Sequence, residues 1–327
     1  MALVAPPAGD AGAASPPSQV FDPAQATEDA DGPALLPVLD ARAQDRWRAG
    51  DLAQVTTLRR RALRIALAAF GPGSPATAQA IADLARAHIE RRRWLDAEPL
   101  LIIAARIPIG AKEYGRGPAI FAGLARVALA RGDAAGALAW AGRAVERARH
   151  DPGHASAEPL RALGAALAVL ERFEEARRAL DEALALDRHR HGLEAAETAR
   201  SLSQLGNLYL RWDRPEDALA PLQHAAAIDQ MLLGPAHPFV ADDLHDLGLA
   251  YEALDRPERA RRLFLAALAA LERGAGRDTP RAAYAELALS RIHRKLSDTA
   301  AAEAARRDAR RILSEAEAEE RRRERRA

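Results

Sequence analysis

The chain has 327 residues, a net charge of +1 and no cysteine, with 4% aromatic and 28% charged residues. Near-neutrality removes the broad field that would draw nucleic acid or an anionic membrane, and the missing cysteine excludes disulfides, a thiolate zinc site and a cysteine nucleophile. Sparse aromatics in a chain rich in Ala, Leu and charge point to helices with small contact residues rather than to a β-rich core.

Residues 1–34 form an Ala/Pro-rich segment interrupted by Pro6, Pro7, Pro16, Pro17, Pro23 and Pro33. It offers too little apolar surface to offset the entropy of ordering, so disorder is expected there. Met1 to Ser15 lacks a basic stretch followed by an apolar run, and no later stretch approaches 18 uninterrupted apolar residues. Neither a secretory signal nor a membrane span is expected, and the simplest placement is cytoplasmic. The only lysines are Lys112 and Lys295 among 47 basic residues. That imbalance reads first as the codon bias of a GC-rich genome, not as phosphate recognition.

From residue 35 to 313 the chain repeats itself. Leu205-Gly206 with Tyr209 recurs 42 residues on as Leu247-Gly248 with Tyr251, and Asp213-Arg214-Pro215-Glu216 recurs as Asp255-Arg256-Pro257-Glu258. A fixed period of this size marks a stacked array of supersecondary units. Carrying the frame both ways places Ala43, Ala85, Ala125, Gly164, Gly206, Gly248 and Ser290 at one position, all small. Twelve residues later stand Val55, Ala97, Ala137, Ala176, Ala218, Ala260 and Ala302; seven beyond those stand Ala62, Ala104, Ala144, Ala183, Ala225, Ala267 and Ala309. Seven residues is about two helical turns, so the two Ala columns share a face where another helix can approach closely. Leu101, Leu180, Leu222 and Phe264 fill the gaps between them with helical periodicity.

Gly71 with Pro75, Gly234 with Pro238 and Gly276 with Pro280 punctuate the joins between hairpins, a glycine ending one helix and a proline starting the next. The units near Pro118 and Glu158 are shorter and use Asp151-Pro152-Gly153 or no proline, so different loops are expected there. Pro99 is placed near the first turn of its helix, where a missing donor costs little; Pro221 lies deeper and predicts a bend. Residues 314–327 read as a charged helical extension, with Glu317 before Arg321 and Glu319 before Arg323 at the favourable spacing of four.

The order small residue, Tyr, turn, Ala, Leu or aromatic, Ala resembles the tetratricopeptide repeat. Ala97-Glu98-Pro99-Leu100-Leu101, Arg61-Ala62-Leu63-Arg64-Ile65 and Gly234-Pro235-Ala236-His237-Pro238 resemble phrases of the variety found in kinesin light chains. The resemblance covers roughly 37–313 and weakens at the ends, where Arg42-Ala43 and Leu289-Ser290 replace the Leu-Gly pair. It implies an all-α, right-handed α-solenoid of about seven antiparallel hairpins, first helices lining a concave groove and second helices outside.

No catalytic grouping, cofactor fingerprint or metal-ligand cluster is signalled. His189 and His191 sit two apart and would face different ways on a helix, which makes them poor joint ligands. His237 precedes Pro238 in an inter-hairpin loop and reads as structural. Gly71-Pro72-Gly73 and Gly274-Ala275-Gly276 follow no strand and read as helix punctuation, not as phosphate loops. The Arg321 to Arg326 cluster reads as a solubilising end, since glutamates interrupt it and no aromatic accompanies it. Trp94, Trp140 and Trp212 read as packing; Trp47 is either an anchor for a ligand or an end-cap contact.

Projection of the frame onto the concave side selects Asp83, Arg86, Glu90, Arg126, Arg161, Gln204, Asn207, Arg211, His245, Asp246, Glu252 and Arg291 as the partner-binding strip. This mixed-charge strip is unlike the Lys and Asn clamp by which some relatives hold a C-terminal carboxylate. The expected function is a non-enzymatic scaffold that binds a peptide or protein segment in the groove. The alternative is a regulatory sensor that binds a signalling peptide or enzyme and changes its superhelical pitch.

Overall fold

The computed structural model describes residues 32–107, 116–150, 156–274, 276 and 279–324. Within them fourteen α-helices pair into seven hairpins. These are α1 (Leu36–Arg48) with α2 (Leu52–Phe70), α3 (Pro75–Glu90) with α4 (Trp94–Arg106), α5 (Arg116–Ala130) with α6 (Ala134–Arg149), and α7 (Glu158–Val169) with α8 (Phe173–His191). Then follow α9 (Ala196–Arg211) with α10 (Pro215–Leu233), α11 (Pro238–Ala253) with α12 (Pro257–Arg273), and α13 (Pro280–Lys295) with α14 (Thr299–Glu324). The fold is an all-α solenoid.

Every hairpin turns on one left-handed residue: Gly50, Arg92, Gly132, Glu171, Asp213, Asp255 and Ser297, with φ between 53° and 79°. Five of these carry a side chain, at a cost of about 1 kcal/mol each. What holds them is a six-to-one bond across the helix end, in which Arg93, Arg172, Arg214 and Arg256 donate N–H to the carbonyls of His88, Leu167, Tyr209 and Tyr251 at 2.9 Å, and Asp298 to that of His293 at 2.8 Å. Asp51, Asp133 and Asp298 then cap the second helices of the first, third and seventh hairpins, accepting from the N–H of Gln54, Gly136 and Ala301. In the fifth and sixth, Pro215 and Pro257 occupy the first helical position instead, where no donor is needed.

The small columns are where the helices meet. Ala97, Ala137, Ala176, Ala218 and Ala260 are fully buried, as are Ala104, Ala144, Ala183, Ala225 and Ala309. A Cβ on Gly164, Gly206 or Gly248 would overlap Leu180, Leu222 or Phe264 of the paired helix, so glycine sets the closest approach in the three central hairpins. Between hairpins, Gly71, Gly192, Gly234 and Gly276 hold φ between 76° and 95°. Gly192 serves the shorter fourth hairpin as the others serve theirs.

Pro99 is the sixth residue of α4 and Pro221 the seventh of α10, so both lie in the second turn; Pro99 is deeper than the sequence placed it, because α4 begins at Trp94. Both helices run through their proline. α14 continues without a break from the last hairpin to Glu324. Residues 1–31, the Asp151-Pro152-Gly153 loop, Ala275 and Arg325 and Arg326 lie outside the described residues, as do the side chains of Glu317, Glu319, Arg321 and Arg323.

The odd helices form the inner wall. α3 touches α5, α5 touches α7, and so on through α13, whereas no comparable next-nearest contact joins the even helices among the described residues. Helices crowd side by side only on the side of smaller radius, so α1, α3, α5, α7, α9, α11 and α13 surround the concave space.

Candidate ligand-binding lumen

The inner wall curls until it meets itself. Trp47, near the end of α1, packs against His237 and Phe239 at the start of α11, with ring centroids 5.4 and 5.6 Å apart. His237 Nε2 lies 2.8 Å from the carbonyl oxygen of Trp47, 190 residues away in sequence, while its Nδ1 accepts the N–H of Phe239 and so caps α11. Only the neutral ring with its proton on Nε2 can fill both roles, and burial lowers the His237 pKa accordingly. Beside this contact a Cβ on Gly50 would meet Pro238 Cδ at 3.0 Å. One hairpin along, Arg92 of the α3–α4 turn reaches Asp242 of α11 at 3.3 Å and lies over the ring of Tyr284 of α13. The concave groove is therefore a lumen fastened where the first two hairpins meet the last two. Trp47 is neither a free anchor nor an end cap but part of this fastening, an outcome that follows from the curvature of the array.

Inside the lumen one position of the frame, six residues before the small contact, carries Glu158, Arg200, Asp242 and Tyr284 in successive hairpins. Burial pushes the Glu158 carboxyl up, but the guanidiniums of Arg86, Arg126, Arg161 and Arg200 together hold it below the ordinary carboxylate range. Arg126 is the least compensated of them. Burial lowers its pKa by more than the attraction of Glu158 and Glu90 raises it, Arg200 and Arg161 add repulsion, and no hydrogen bond joins it to an acid among the described residues. Arg200 lies over the rings of Trp47 and Phe239, at 5.5 and 5.8 Å. Arg86 is half exposed to solvent, yet Glu158, Asp83, Glu90 and Asp40 overcome its burial and raise its pKa. A charge open to water but ringed by protein is what a concave wall produces.

Two polar joints link successive hairpins. Between the fourth and fifth, Asp187 Oδ2 of α8 accepts from Arg161 Nη1 of α7 and from Ser201 Oγ of α9, each at 2.6 Å. Between the fifth and sixth, Asp229 of α10 faces Asp243 of α11, and Ser203 Oγ of α9 donates to Asp243 Oδ1 at 2.7 Å. Asp229 Oδ1 and Asp243 Oδ2 are buried with no donor other than the facing carboxyl.

Of the twelve residues the sequence selected, Arg86, Glu90, Arg126 and Arg161 come together around Glu158. Others tie neighbouring helices to each other. Asn207 Nδ2 donates to Asp246 Oδ2 at 2.8 Å, His245 lies 3.3 Å from the other Asp246 oxygen, and Arg291 forks onto Glu252 at 2.8 and 2.9 Å. Asp83 accepts from Gln79, Gln204 is half-buried on α9, and Arg211 is exposed at the end of that helix. Sequence reasoning missed Glu158, Arg200, Asp242 and the Asp229 and Asp243 pair. Extending the frame six residues upstream would have found the first three.

A closed stack of helical hairpins with a charged inner face defines the class: a helical-repeat solenoid. Residues 156–231, from α7 into α10, and residues 240–281 match the tetratricopeptide repeat family, so these hairpins are tetratricopeptide repeats. No curated protein matches its sequence. Among solved structures, a Rap protein complexed with Competence and Sporulation Factor is similar with a TM-score of 0.63 at 16% identity, over 86% of this chain and 77% of that one. BtubC (BKLC) from P. vanneervenii is similar at 18% identity over 81% and 92% of the two chains, with a TM-score of 0.44. A Podosopora anserina putative kinesin light chain with nearly identical TPR-like repeats matches at 20% identity over 62% and 96%, with a TM-score of 0.43. At these identities the likeness is one of fold. Among the described residues no helix is long and apolar enough to cross a membrane.

Proposed function

We propose that the protein is a non-enzymatic, cytoplasmic interaction scaffold whose lumen takes a peptide or a segment of a partner protein. One observation carries the reading: Arg126 of α5 and Glu158 of the adjoining α7 stand on the inner wall among Arg86, Arg161 and Arg200, and neither makes a hydrogen-bonded ion pair among the described residues. Desolvation and the nearby Arg200 and Arg161 cost the Arg126 guanidinium more than Glu158 and Glu90 return, so part of the cost of placing that charge there is not met. A ligand that brings complementary groups recovers more of it, so these positions favour occupancy over stability. The Rap protein named above, which shares the fold, is complexed with Competence and Sporulation Factor, and this supports a ligand-binding use of the fold here. Arg86, Glu90 and Arg126 belong to the ligand surface; Arg161, Asn207, Asp246, Glu252 and Arg291 hold the wall in register.

The test is capture of partners by the purified protein, read by mass spectrometry. Arg126→Ala with Glu158→Gln should abolish the specific captures while leaving the helical content unchanged. An unaltered set of captured proteins would contradict the assignment.

A second reading, the sensor, is favoured by the fastening at Trp47. A ligand that displaces Arg200 from the rings of Trp47 and Phe239 would loosen the contact between the first and sixth hairpins and change the radius of the solenoid. Small-angle scattering separates the two: the scaffold keeps one radius with and without its ligand, and the sensor does not.

A further inference from the structure

We propose that the joint between the fifth and sixth hairpins is a cation-accepting subsite of the lumen, held by a shared proton in the free protein and by a guanidinium or ammonium group of the ligand when one is bound. The inference rests on the lumen being the ligand site and adds the chemistry of one point on it.

The repeat itself supplies the argument. A shift of 42 residues carries Arg161 to Ser203, Asp187 to Asp229 and Ser201 to Asp243. At the earlier joint Asp187 receives both a guanidinium and a hydroxyl. At the later one the arginine has become a serine and the hydroxyl a second carboxyl, so the joint has lost a positive charge and gained a negative one. Asp229 and Asp243 are 5% and 4% exposed, each keeps one oxygen to which no other group donates, and the two carboxyls lie within hydrogen-bonding reach of each other. Buried acceptors without donors are uncommon, and each calls for a reason.

The surroundings do not supply the missing cation in full. From α9, Arg200 attracts Asp229 while Glu197 repels it; from α11, Asp242 and Asp246 repel Asp243. Arg92 and Arg281 are engaged with Asp242, and His245 and Asn207 with Asp246. Burial, and then the facing Asp229, push Asp243 up to about 9; burial pushes Asp229 up to about 6. At neutral pH the pair therefore retains a proton, which stands in for the guanidinium of the earlier joint. Arg161 reaches its aspartate from α7, a helix of the inner wall, and Ser203 sits at the matching place on α9. A ligand group replacing the proton would approach from the lumen past the Ser203 hydroxyl. The exchange balances: one cationic group enters, one proton leaves to solvent, and the charge of the joint is unchanged.

The experiment is calorimetric titration of the full chain with α-N-acetylarginine amide, using α-N-acetylglutamine amide as the neutral control, between pH 6 and 9. The arginine compound is expected to bind and the glutamine compound not. Affinity should rise with pH, approaching about tenfold per unit where one proton is displaced. One proton should be released per molecule bound, read by repeating the titration in buffers of different ionisation heat. Asp243→Asn removes the charge without changing shape, and Ser203→Arg places a guanidinium in the joint from within; both should abolish binding of the arginine compound. Equal binding of the two compounds, or arginine binding that survives Ser203→Arg and Asp243→Asn, would overturn the subsite. If partner capture depends on Arg126 while the arginine compound fails to bind, the subsite falls and the lumen reading stands. The reverse pattern removes the lumen reading and leaves the joint as a cation site.

Discussion

The joint between hairpins four and five and the joint between hairpins five and six occupy the same place in the frame, and the apolar parts around them match. Gly164 meets Leu180 as Gly206 meets Leu222, and Ala176 and Ala218 are both fully buried. The polar parts do not match: Asp187 sits in an ion pair with Arg161, whereas Asp229 sits opposite another acid. Two joints with one apolar frame and opposite charge arrangements show which layer of the sequence sets the fold. Small residues and glycine turns determine how hairpins stack, and the polar positions between them are free to change.

The largest effect is expected at the paired joint. Arg161→Ala leaves Asp187, 3% exposed, with a hydroxyl and no cation, and should cost about 3 to 5 kcal/mol. Denaturant unfolding followed by circular dichroism measures it. Next come Ala176→Leu and Ala218→Leu, which overpack the fourth and fifth hairpins. Each should cost about 1 to 3 kcal/mol, and thermal melts should show the two to be alike because the apolar frame is shared.

Asp243→Ser gives the later joint the hydroxyl of the earlier one, though not its arginine. It removes the facing acid and restores a donor like Ser201, so it should stabilise at pH 9 by about 1 to 2 kcal/mol. The sign of the pH dependence follows from the raised folded pKa values. The folded pair keeps protons that the unfolded chain releases near pH 4, so its contribution is complete below that pH. It declines as pH rises through about 6 for Asp229 and about 9 for Asp243. In Asp243→Ser the alkaline part of that decline should vanish from a series of melts.

The smallest effect belongs to the fastening. His237 has a lowered pKa, so the folded state resists a proton that the unfolded chain takes up, and stability falls as pH drops below the ordinary value of 6.5. His237→Asn keeps an acceptor at the start of α11 and removes the titration. Acid sensitivity between pH 6.5 and 5 should shrink by about 0.5 kcal/mol or less, read from the same melts.

Much of this architecture is legible in the sequence because it is periodic. The small columns at Ala97 and Ala104 and their equivalents mark the helix contacts, and Gly206 and Gly248 mark the closest ones. The left-handed turns at Arg92, Glu171, Asp213, Asp255 and Ser297 are not, because the bond that holds them is made by backbone and leaves no side-chain signature. The meeting of Trp47 with His237 is hidden for another reason: it depends on accumulated curvature over five hairpins, which no local pattern encodes. The candidate site is legible in part. Arg126 and Arg161 were found by projecting first-helix positions. Asp229 lies on a second helix and escaped that projection, and Asn207 and Asp246 were selected although they bind each other.

The most direct measurement is a carbon NMR titration of the aspartate carboxyls from pH 4 to 10, comparing the natural chain with Ser203→Arg. The two joints differing as described, the Asp229 and Asp243 pair should still carry a proton at pH 7 in the natural chain and lose it at pH 7 once the arginine is present. Two fully ionised carboxylates at pH 7 in the natural chain would contradict the account.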